Sequence, residues 1–150
     1  MNHKRLLIFG GSGFVGMHLA RLSQRQSWLV TLSSRGELPV PERMAWQRAD
    51  IRQKGQVLRA IEAARAPVVV NAAAQANIDL AEQDPSSTWQ INVDGARYVA
   101  DACAELGIRA IFFSSDAVFN GKGQNYTDNI NRFELPRWTA RALGYDENFG

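Results

Sequence analysis

Cysteine, histidine and long apolar runs are all scarce in this sequence. Its 150 residues include one cysteine, Cys103, which excludes an internal disulfide and a cysteine-based metal cage and is typical of a reducing compartment. Because its neighbours look helical, Cys103 is interpreted as a buried structural thiol. His3 and His18 lie near no cluster of carboxylates, so no metal site is predicted. No stretch approaches the about 20 apolar residues of a membrane-spanning helix.

The charge of the chain is small and dispersed. A formal net charge of +2, with lysines and arginines scattered along the sequence, does not indicate a nucleic-acid surface. The beginning, MNHKRLLIFGG, has basic residues before an apolar run, but that run is too short for a secretory signal. The sequence therefore predicts one soluble, cytoplasmic domain, with neither nucleic acid nor membrane among its partners.

Short apolar runs alternate with amphipathic segments along most of the chain. The runs predict buried parallel strands, and the segments between them predict helices on both faces of an α/β sheet. Residues 37–42 contain two prolines and predict a connection, and residues 75–85 are expected to form a loop. The predicted strands are Arg5–Phe9, Trp28–Leu32, Met44–Arg48, the run PVVVNAAA and the run IRAIFFSS.

Three helices are predicted between these strands. The first begins at Gly13 and is expected to bury Val15, Leu19 and Leu22; the second covers residues 55–66 and is expected to pack through Val57, Ile61 and Ala64. The third is one long helix over residues 86–107, with Ser87 as its N-cap and Gly107 as its C-cap.

Glycines follow the first strand in FGGSGFVG. Gly10, Gly13 and Gly16 have the spacing G-x-x-G-x-x-G, and Gly11 is additional. In such a loop one glycine permits the turn, another lets the backbone approach a pyrophosphate, and the third brings the helix close to the strand. The helix start then presents backbone N–H groups to the anion. The sequence thus favours a phosphate-binding loop in a Rossmann-type doubly wound parallel sheet over a turn with incidental glycines.

The end of the second strand indicates which dinucleotide is bound. An acidic residue there would favour NAD, whereas this sequence has Ser34 and Arg35 and no carboxylate. Because a guanidinium pairs well with a ribose phosphate, NADP (as NADPH) is favoured and NAD stays open. The alternative is that Arg35 is an ordinary surface arginine.

Four stretches resemble the extended short-chain dehydrogenases/reductases, and within them the dTDP-4-dehydrorhamnose reductase branch of sugar-nucleotide reductases. They are GGSGFVG, VVVNAAAQANIDLAEQDP, INVDGARYVADACAELG and FFSSDAVFNGKGQNYTD, and the resemblance covers about residues 5 to 128. Ala117 and Asn120 depart from the pattern, where the branch usually has an aromatic residue and an aspartate.

The resemblance implies a set of site residues. Gly13, Phe14 and Val15 would line the pyrophosphate, and Asp50 and Ile51 would edge the adenine. Ser115 would be the catalytic hydroxyl that binds the substrate carbonyl, and Asp116 would contact the substrate. The residues expected to pass under the two riboses are Ala72, Ala73, Ala74 and Gln75.

Several polar residues in these stretches also have a local structural interpretation. The Ser-Ser-Asp segment could cap a turn through its side chains. Asp79 and Glu82 could form a solvated helix face, and Asn71 could tie neighbouring loops together.

The proton donor that the resemblance implies is missing. Family chemistry uses a tyrosine with a lysine four residues later, but no Tyr-x-x-x-Lys occurs in these 150 residues, whose last lysine is Lys122. We therefore expect an NAD(P)-binding domain over residues 1–128 that is truncated after the fifth strand. Residues 129–150 are expected to be a divergent or poorly ordered tail, and the substrate domain to be absent.

Three functions follow as hypotheses. The first is the cofactor-binding portion of a reductase of 4-keto sugar nucleotides, whose substrate would bind if the missing half is supplied. The second is a non-catalytic NADP-binding subunit resembling the regulatory subunit of methionine adenosyltransferase, and the third is an inactive remnant. The expected partner is a nicotinamide dinucleotide, and self-association into a homo-oligomer is left open.

Overall fold

The computed structural model describes residues 4–37 and 39–113. Ser115, Asp116, the predicted boundary at residue 128 and the predicted tail lie outside these residues. The elements are β1 (Arg5–Phe9), α1 (Phe14–Arg25), β2 (Leu29–Ser34), β3 (Ala45–Arg48), α2 (Lys54–Ala64), β4 (Val68–Asn71), α3 (Ile78–Gln83), α4 (Pro85–Trp89), a π-helical segment (Gln90–Gly95), α5 (Ala96–Glu105) and β5 (Arg109–Phe112).

The five strands form one parallel sheet in the order β3-β2-β1-β4-β5. This confirms the predicted doubly wound parallel sheet. The strand order reverses between β1 and β4, which neighbour each other although two strands separate them in sequence. In such sheets the crevice beyond the carboxyl ends of these two strands is where ligands bind. The glycine loop follows β1 directly, so it lies at this crevice.

The core has two layers because alternate residues of a strand point to opposite faces of the sheet. In β1, Leu7 and Phe9 pack under α2 and α5, whereas Leu6 and Ile8 pack under α1. All four are buried. The continuous apolar run of β1 is therefore explained by helices on both faces, as predicted.

The inner face of α1 differs from the prediction. Val15 and Leu22 are 44% and 57% exposed, and the buried residues of this helix are Gly16 and Ala20, with Leu19 partly buried. The prediction was wrong because it assigned the buried face of α1 from the positions of large apolar side chains. Here small residues face the sheet and let the helix backbone approach it closely.

The segment between β4 and β5 also departs from the prediction. Residues 75–85 contain the short helix α3, whose first turn is capped by the Asn77 side chain accepting from the Leu80 N–H at 3.0 Å. The expected single helix begins at Pro85, and its N-cap is Asp84, which accepts from the N–H of Ser87 at 2.9 Å. Ser87 is thus inside the helix, because Pro85 is suited to its first position.

The C-terminal end of α5 agrees with the prediction. Gly107 has φ +65°, its N–H donates to Ala104 O at 3.3 Å, and the N–H of Ile108 donates to Cys103 O at 2.8 Å. These are the two hydrogen bonds of a Schellman motif, in which glycine provides the left-handed residue. The predicted second helix is confirmed as well, with Val57 and Ile61 buried.

Among residues 4–37 and 39–113, no helix combines the length and the apolar character needed to span a bilayer.

Candidate functional site

The glycine loop turns sharply after β1. The N–H groups of Gly10 and Gly11 both donate to the carbonyl oxygen of Ser33, each at 3.0 Å, which fixes the loop to the end of β2. Gly10 has φ +78°, and a Cβ there would lie 2.6 Å from the carbonyl carbon of Ala72 and from the nitrogen of Ala73. Only glycine allows the loop after β1 to touch the loop after β4 in this way.

Two more glycines bring α1 against this turn. A Cβ on Gly16 would lie 2.3 Å from the carbonyl oxygen of Gly10, and one on Gly13 would lie 3.3 Å from the same atom. Gly11 is as constrained as the others, since its Cβ would lie 2.7 Å from the Cβ of Leu32. The sequence pattern treated Gly11 as additional, but the buried Leu32 leaves it no room.

The start of α1 offers unused donors. Gly13 is the N-cap and has no side chain to cap the helix. In the part of the chain that the structure describes, the N–H groups of Phe14, Val15 and Gly16 have no hydrogen-bond acceptor. Three such donors at the positive end of a helix dipole suit a phosphate. The stretch thus has both the open backbone and the donors that a pyrophosphate requires.

The end of β2 presents two buried serines, Ser33 and Ser34, followed by the exposed Arg35. The hydroxyl of Ser34 donates to the carbonyl of Gly36 at 2.7 Å and accepts from the indole N–H of Trp46 at 2.8 Å. Ser34 is buried and holds the turn that carries Arg35. Arg35 is exposed and forms no ion pair with any residue in the described ranges.

The end of β3 carries Asp50 and Ile51. The Asp50 carboxylate accepts from the Arg52 guanidinium, with a closest approach of 2.6 Å, and from the Arg52 backbone N–H at 3.0 Å. These hydrogen bonds hold the pKa of the Asp50 carboxyl below its ordinary value, and the charge of Arg35 acts in the same direction. Ile51 is buried, and Gly95 packs against it.

The segment from Ala72 to Gln75 follows β4 and is fixed by two asparagines. Asn71 is buried, and its Oδ1 accepts from the N–H of Ala73 at 3.1 Å, a hydrogen bond within the loop that follows β4. Asn92 accepts from the N–H of Gln75 at 2.7 Å and donates to its carbonyl at 3.0 Å. Both backbone groups of Gln75 are therefore held by one side chain.

The predicted site residues within the described ranges lie in four segments at the carboxyl ends of β1, β2, β3 and β4. Direct contacts join the glycine loop to Ser33 and to Ala72. The predictions for Ser115 and Asp116 concern residues outside the described ranges.

Three positioning residues escaped the sequence analysis. Asn92, Gly95 and Arg52 each hold or touch a predicted site residue; Arg52 follows β3, whereas Asn92 and Gly95 lie in a helical segment. The π-helical segment Gln90–Gly95 carries the first two, and such segments often occur at functional sites. Asn92 and Gly95 stand in INVDG, the beginning of a stretch that resembles the family, but neither residue was given a role there.

A family model described as the RmlD substrate binding domain matches residues 4–132. The chain belongs to this family. A dTDP-4-dehydrorhamnose reductase of Streptomyces griseus is 35% identical over 119 residues, which are 79% of this chain and 36% of that protein. These findings confirm the resemblance to dTDP-4-dehydrorhamnose reductases that the sequence motifs indicated. The chain spans about a third of the length of such relatives.

Another relative has a different name. The methionine adenosyltransferase 2 subunit beta of Pongo abelii is 27% identical over 127 residues, covering 84% of this chain and 36% of that protein. This agrees with the resemblance to the regulatory subunit of methionine adenosyltransferase that the sequence indicated.

Solved structures share the fold. A dTDP-4-dehydrorhamnose reductase from Bacillus anthracis in complex with NADP has a TM-score of 0.68 at 25% identity, over 82% of this chain and 40% of that chain. A UDP-glucose 4-epimerase from Thermus thermophilus in complex with NAD has a TM-score of 0.69 at 28% identity, over 74% and 37% of the two chains. Both similarities support the doubly wound parallel sheet.

Proposed function

We propose that this chain binds NADP(H) as the cofactor-binding portion of a dTDP-4-dehydrorhamnose reductase-like oxidoreductase. The observation that carries the proposal is the glycine loop at the strand-order reversal. There Gly10 packs closely against Ala72, and three N–H groups in the first turn of α1 have no acceptor among the described residues, as an anion-binding helix start requires. The relative in complex with NADP adds support.

The chain's own residues would divide the work of binding. The first turn of α1 would hold the pyrophosphate through backbone N–H groups, and Ser34 would fix the turn from which Arg35 reaches a 2′-phosphate. Ile51 would form an apolar edge for the adenine, and the loop from Ala72 to Gln75 would lie under the riboses. When bound, NADPH supplies a hydride for the C4 carbonyl of a 4-keto sugar nucleotide.

Ser115 would donate a hydrogen bond to the substrate carbonyl, and Asp116 would contact the substrate. Neither residue is a tyrosine, and no tyrosine in these 150 residues has a lysine four positions later. We therefore propose that the proton donor is supplied from outside residues 1–150. Turnover of the sugar nucleotide would require that group.

A second candidate is a non-catalytic, NADP-binding regulatory subunit. Two observations favour it: the similarity to methionine adenosyltransferase 2 subunit beta, and the missing Tyr-x-x-x-Lys pair. This candidate uses the same binding site but predicts no turnover.

A titration tests the proposal. NADPH fluorescence should rise on adding the protein, and NADPH should bind more tightly than NADH. Arg35→Gln should weaken NADPH binding about tenfold and leave NADH binding nearly unchanged, because only NADPH carries the 2′-phosphate. Arg59→Gln, which removes an exposed positive charge on α2, is the matched control.

The outcomes separate the candidates. Reduction of a dTDP-4-keto sugar by this chain with NADPH would favour the reductase and contradict the assignment of the proton donor elsewhere. Binding without turnover by this chain is expected of both candidates, because the reductase also needs a proton donor from outside residues 1–150. A folded protein that binds neither dinucleotide would overturn the proposal and leave the inactive remnant.

A further inference from the structure

Three charged side chains gather where β2 and β3 end. Arg35 follows β2, and Asp50 and Arg52 follow β3. The two strands are neighbours in the sheet, with Ser34 in register with Arg48, and the N–H of Ala49 donates to the carbonyl of Ser34 at 3.1 Å. The sheet thus places one carboxylate and two guanidinium groups at the same edge of the nucleotide-binding end.

The contact between Asp50 and Arg52 is extensive. The guanidinium Nε lies 3.0 Å and 3.1 Å from the two carboxylate oxygens, and an Nη lies 2.6 Å from one of them. The Arg52 backbone N–H adds a fourth hydrogen bond to the same carboxylate. Both side chains are partly buried, with 19% of Asp50 and 29% of Arg52 exposed. A forked pair of this kind is oriented as well as charged.

Arg35 has a different environment. It is exposed and lacks an ion-pair partner among residues 4–37 and 39–113. Its charge nevertheless reaches Asp50, since it helps to lower the pKa of that carboxyl. Without Arg52, the Asp50 carboxylate would have no bound counter-charge and would attract Arg35. It would also repel a phosphate that approached Arg35.

We propose that Arg52 is a specificity-determining positioning residue: by binding and neutralising Asp50 beside Arg35, it leaves the Arg35 guanidinium to the 2′-phosphate of NADP. The inference rests on the proposed NADP-binding function and deepens it. Arg52 acts here through Asp50 and needs no contact with the cofactor. Asp84 also acts on Arg52 by raising its pKa, which links this pair to the N-cap of α4.

The test compares dissociation constants for NADPH and NADH in the full chain, measured by cofactor fluorescence at low and high KCl. Arg52→Gln should reduce the preference for NADPH about three- to tenfold, mostly by weakening NADPH. Asp50→Asn combined with Arg52→Gln should restore the preference, because it removes the uncompensated carboxylate. The effect of Arg52→Gln should shrink as KCl screens the charges. Arg59→Gln controls for the loss of one positive charge elsewhere.

A structural role for Arg52 gives other results. If Arg52→Gln weakened NADPH and NADH equally, or the double variant failed to recover the preference, the inference would be overturned while the proposed function stood. The same holds if the change were insensitive to KCl. If the unaltered protein bound neither cofactor, the proposed function would fail first and the inference with it. Circular dichroism and thermal unfolding of each variant identify any loss of fold.

Discussion

Gly10 and Ala72 lie so close that a Cβ on Gly10 would be 2.6 Å from the carbonyl carbon of Ala72. This contact joins the loop after β1 to the loop after β4 at the strand-order reversal. Gly10 also has φ +78°, which few other residues adopt. The space and the backbone conformation therefore both require glycine here.

Gly10→Ala is expected to lower the free energy of unfolding by roughly 3 kcal/mol, from backbone strain and overlap with backbone atoms. It should also abolish detectable NADPH binding. Gly36→Ala is the control, since a Cβ there would meet no atom within 4 Å, and it should change stability by less than about 0.5 kcal/mol. Urea unfolding and NADPH titration measure both effects. Equal stability and binding in the two variants would contradict the close contact.

Asn92→Ala should weaken NADPH binding several-fold, because it frees both backbone groups of Gln75 from the side chain that holds them. The lost hydrogen bonds should also reduce stability by about 1–2 kcal/mol. Asn92→Asp keeps the acceptor for the Gln75 N–H but sets a carboxylate oxygen against the Gln75 carbonyl, where the amide donated. NADPH affinity should therefore fall in both Asn92→Ala and Asn92→Asp relative to wild type. If Asn92→Ala bound NADPH normally, the loop would not depend on this contact.

Gly95→Ala should disturb the proposed adenine edge. The new Cβ would lie 2.9 Å from both Cγ atoms of Ile51, which is buried, so Ile51 would have to move. We expect a loss of stability of about 1–3 kcal/mol and weaker NADPH binding. In an Ile51→Ala background the stability cost of Gly95→Ala should be much smaller, which a double-mutant cycle measures. Additive stability costs would show that a Cβ at position 95 does not contact the side chain of Ile51.

The Asp50–Arg52 pair should stabilise the fold at neutral pH and less in acid. Because the pKa of Asp50 is lowered in the folded protein, its contribution is present above the ordinary aspartate range and is lost as the pH falls through the folded value. Both groups are partly exposed, so we expect less than about 1 kcal/mol. Urea unfolding from neutral to acid pH should show a smaller decrease for Asp50→Asn with Arg52→Gln than for wild type. A parallel decrease would argue against the pair's contribution.

Cys103 should react slowly with thiol reagents while the protein is folded. Its side chain is 1% exposed, and burial raises its pKa to about 11, so little thiolate forms at mildly alkaline pH. Labelling with a disulfide reagent should be slow in native buffer and fast in denaturant. The buried position agrees with the structural thiol that the sequence predicted. Rapid labelling of the native protein would contradict the packing of α5.

Much of the fold could be predicted because each signal is local. The apolar run of β1, the glycine spacing after it and Gly107 at the end of α5 are all read from neighbouring residues. The same holds for the placement of the predicted site residues at strand ends, since parallel strands bring their carboxyl ends to one edge of the sheet. The parts that the sequence alone did not yield depend on contacts between distant segments.

Two errors show the difference. Val15 and Leu22 were expected to face the core because they are apolar and lie at helical spacing. That spacing does not show that Gly16 and Ala20 let the helix lie closer to the sheet. Ser87 was chosen as an N-cap by residue type, whereas Asp84 takes that place next to Pro85. In both cases the backbone geometry of the folded chain outweighed a preference of the residue type.

The sequence by itself determined the order of the five strands and the position of the glycine loop after β1, because these follow from side-chain period and backbone freedom within short segments. Only the tertiary structure decided that α3 forms, which face of α1 is buried, and that Arg52, Asn92 and Gly95 contact the predicted site residues. These residues act on partners in other segments or on atoms whose positions the folded backbone sets. No periodic pattern within one segment encodes a distance of that kind.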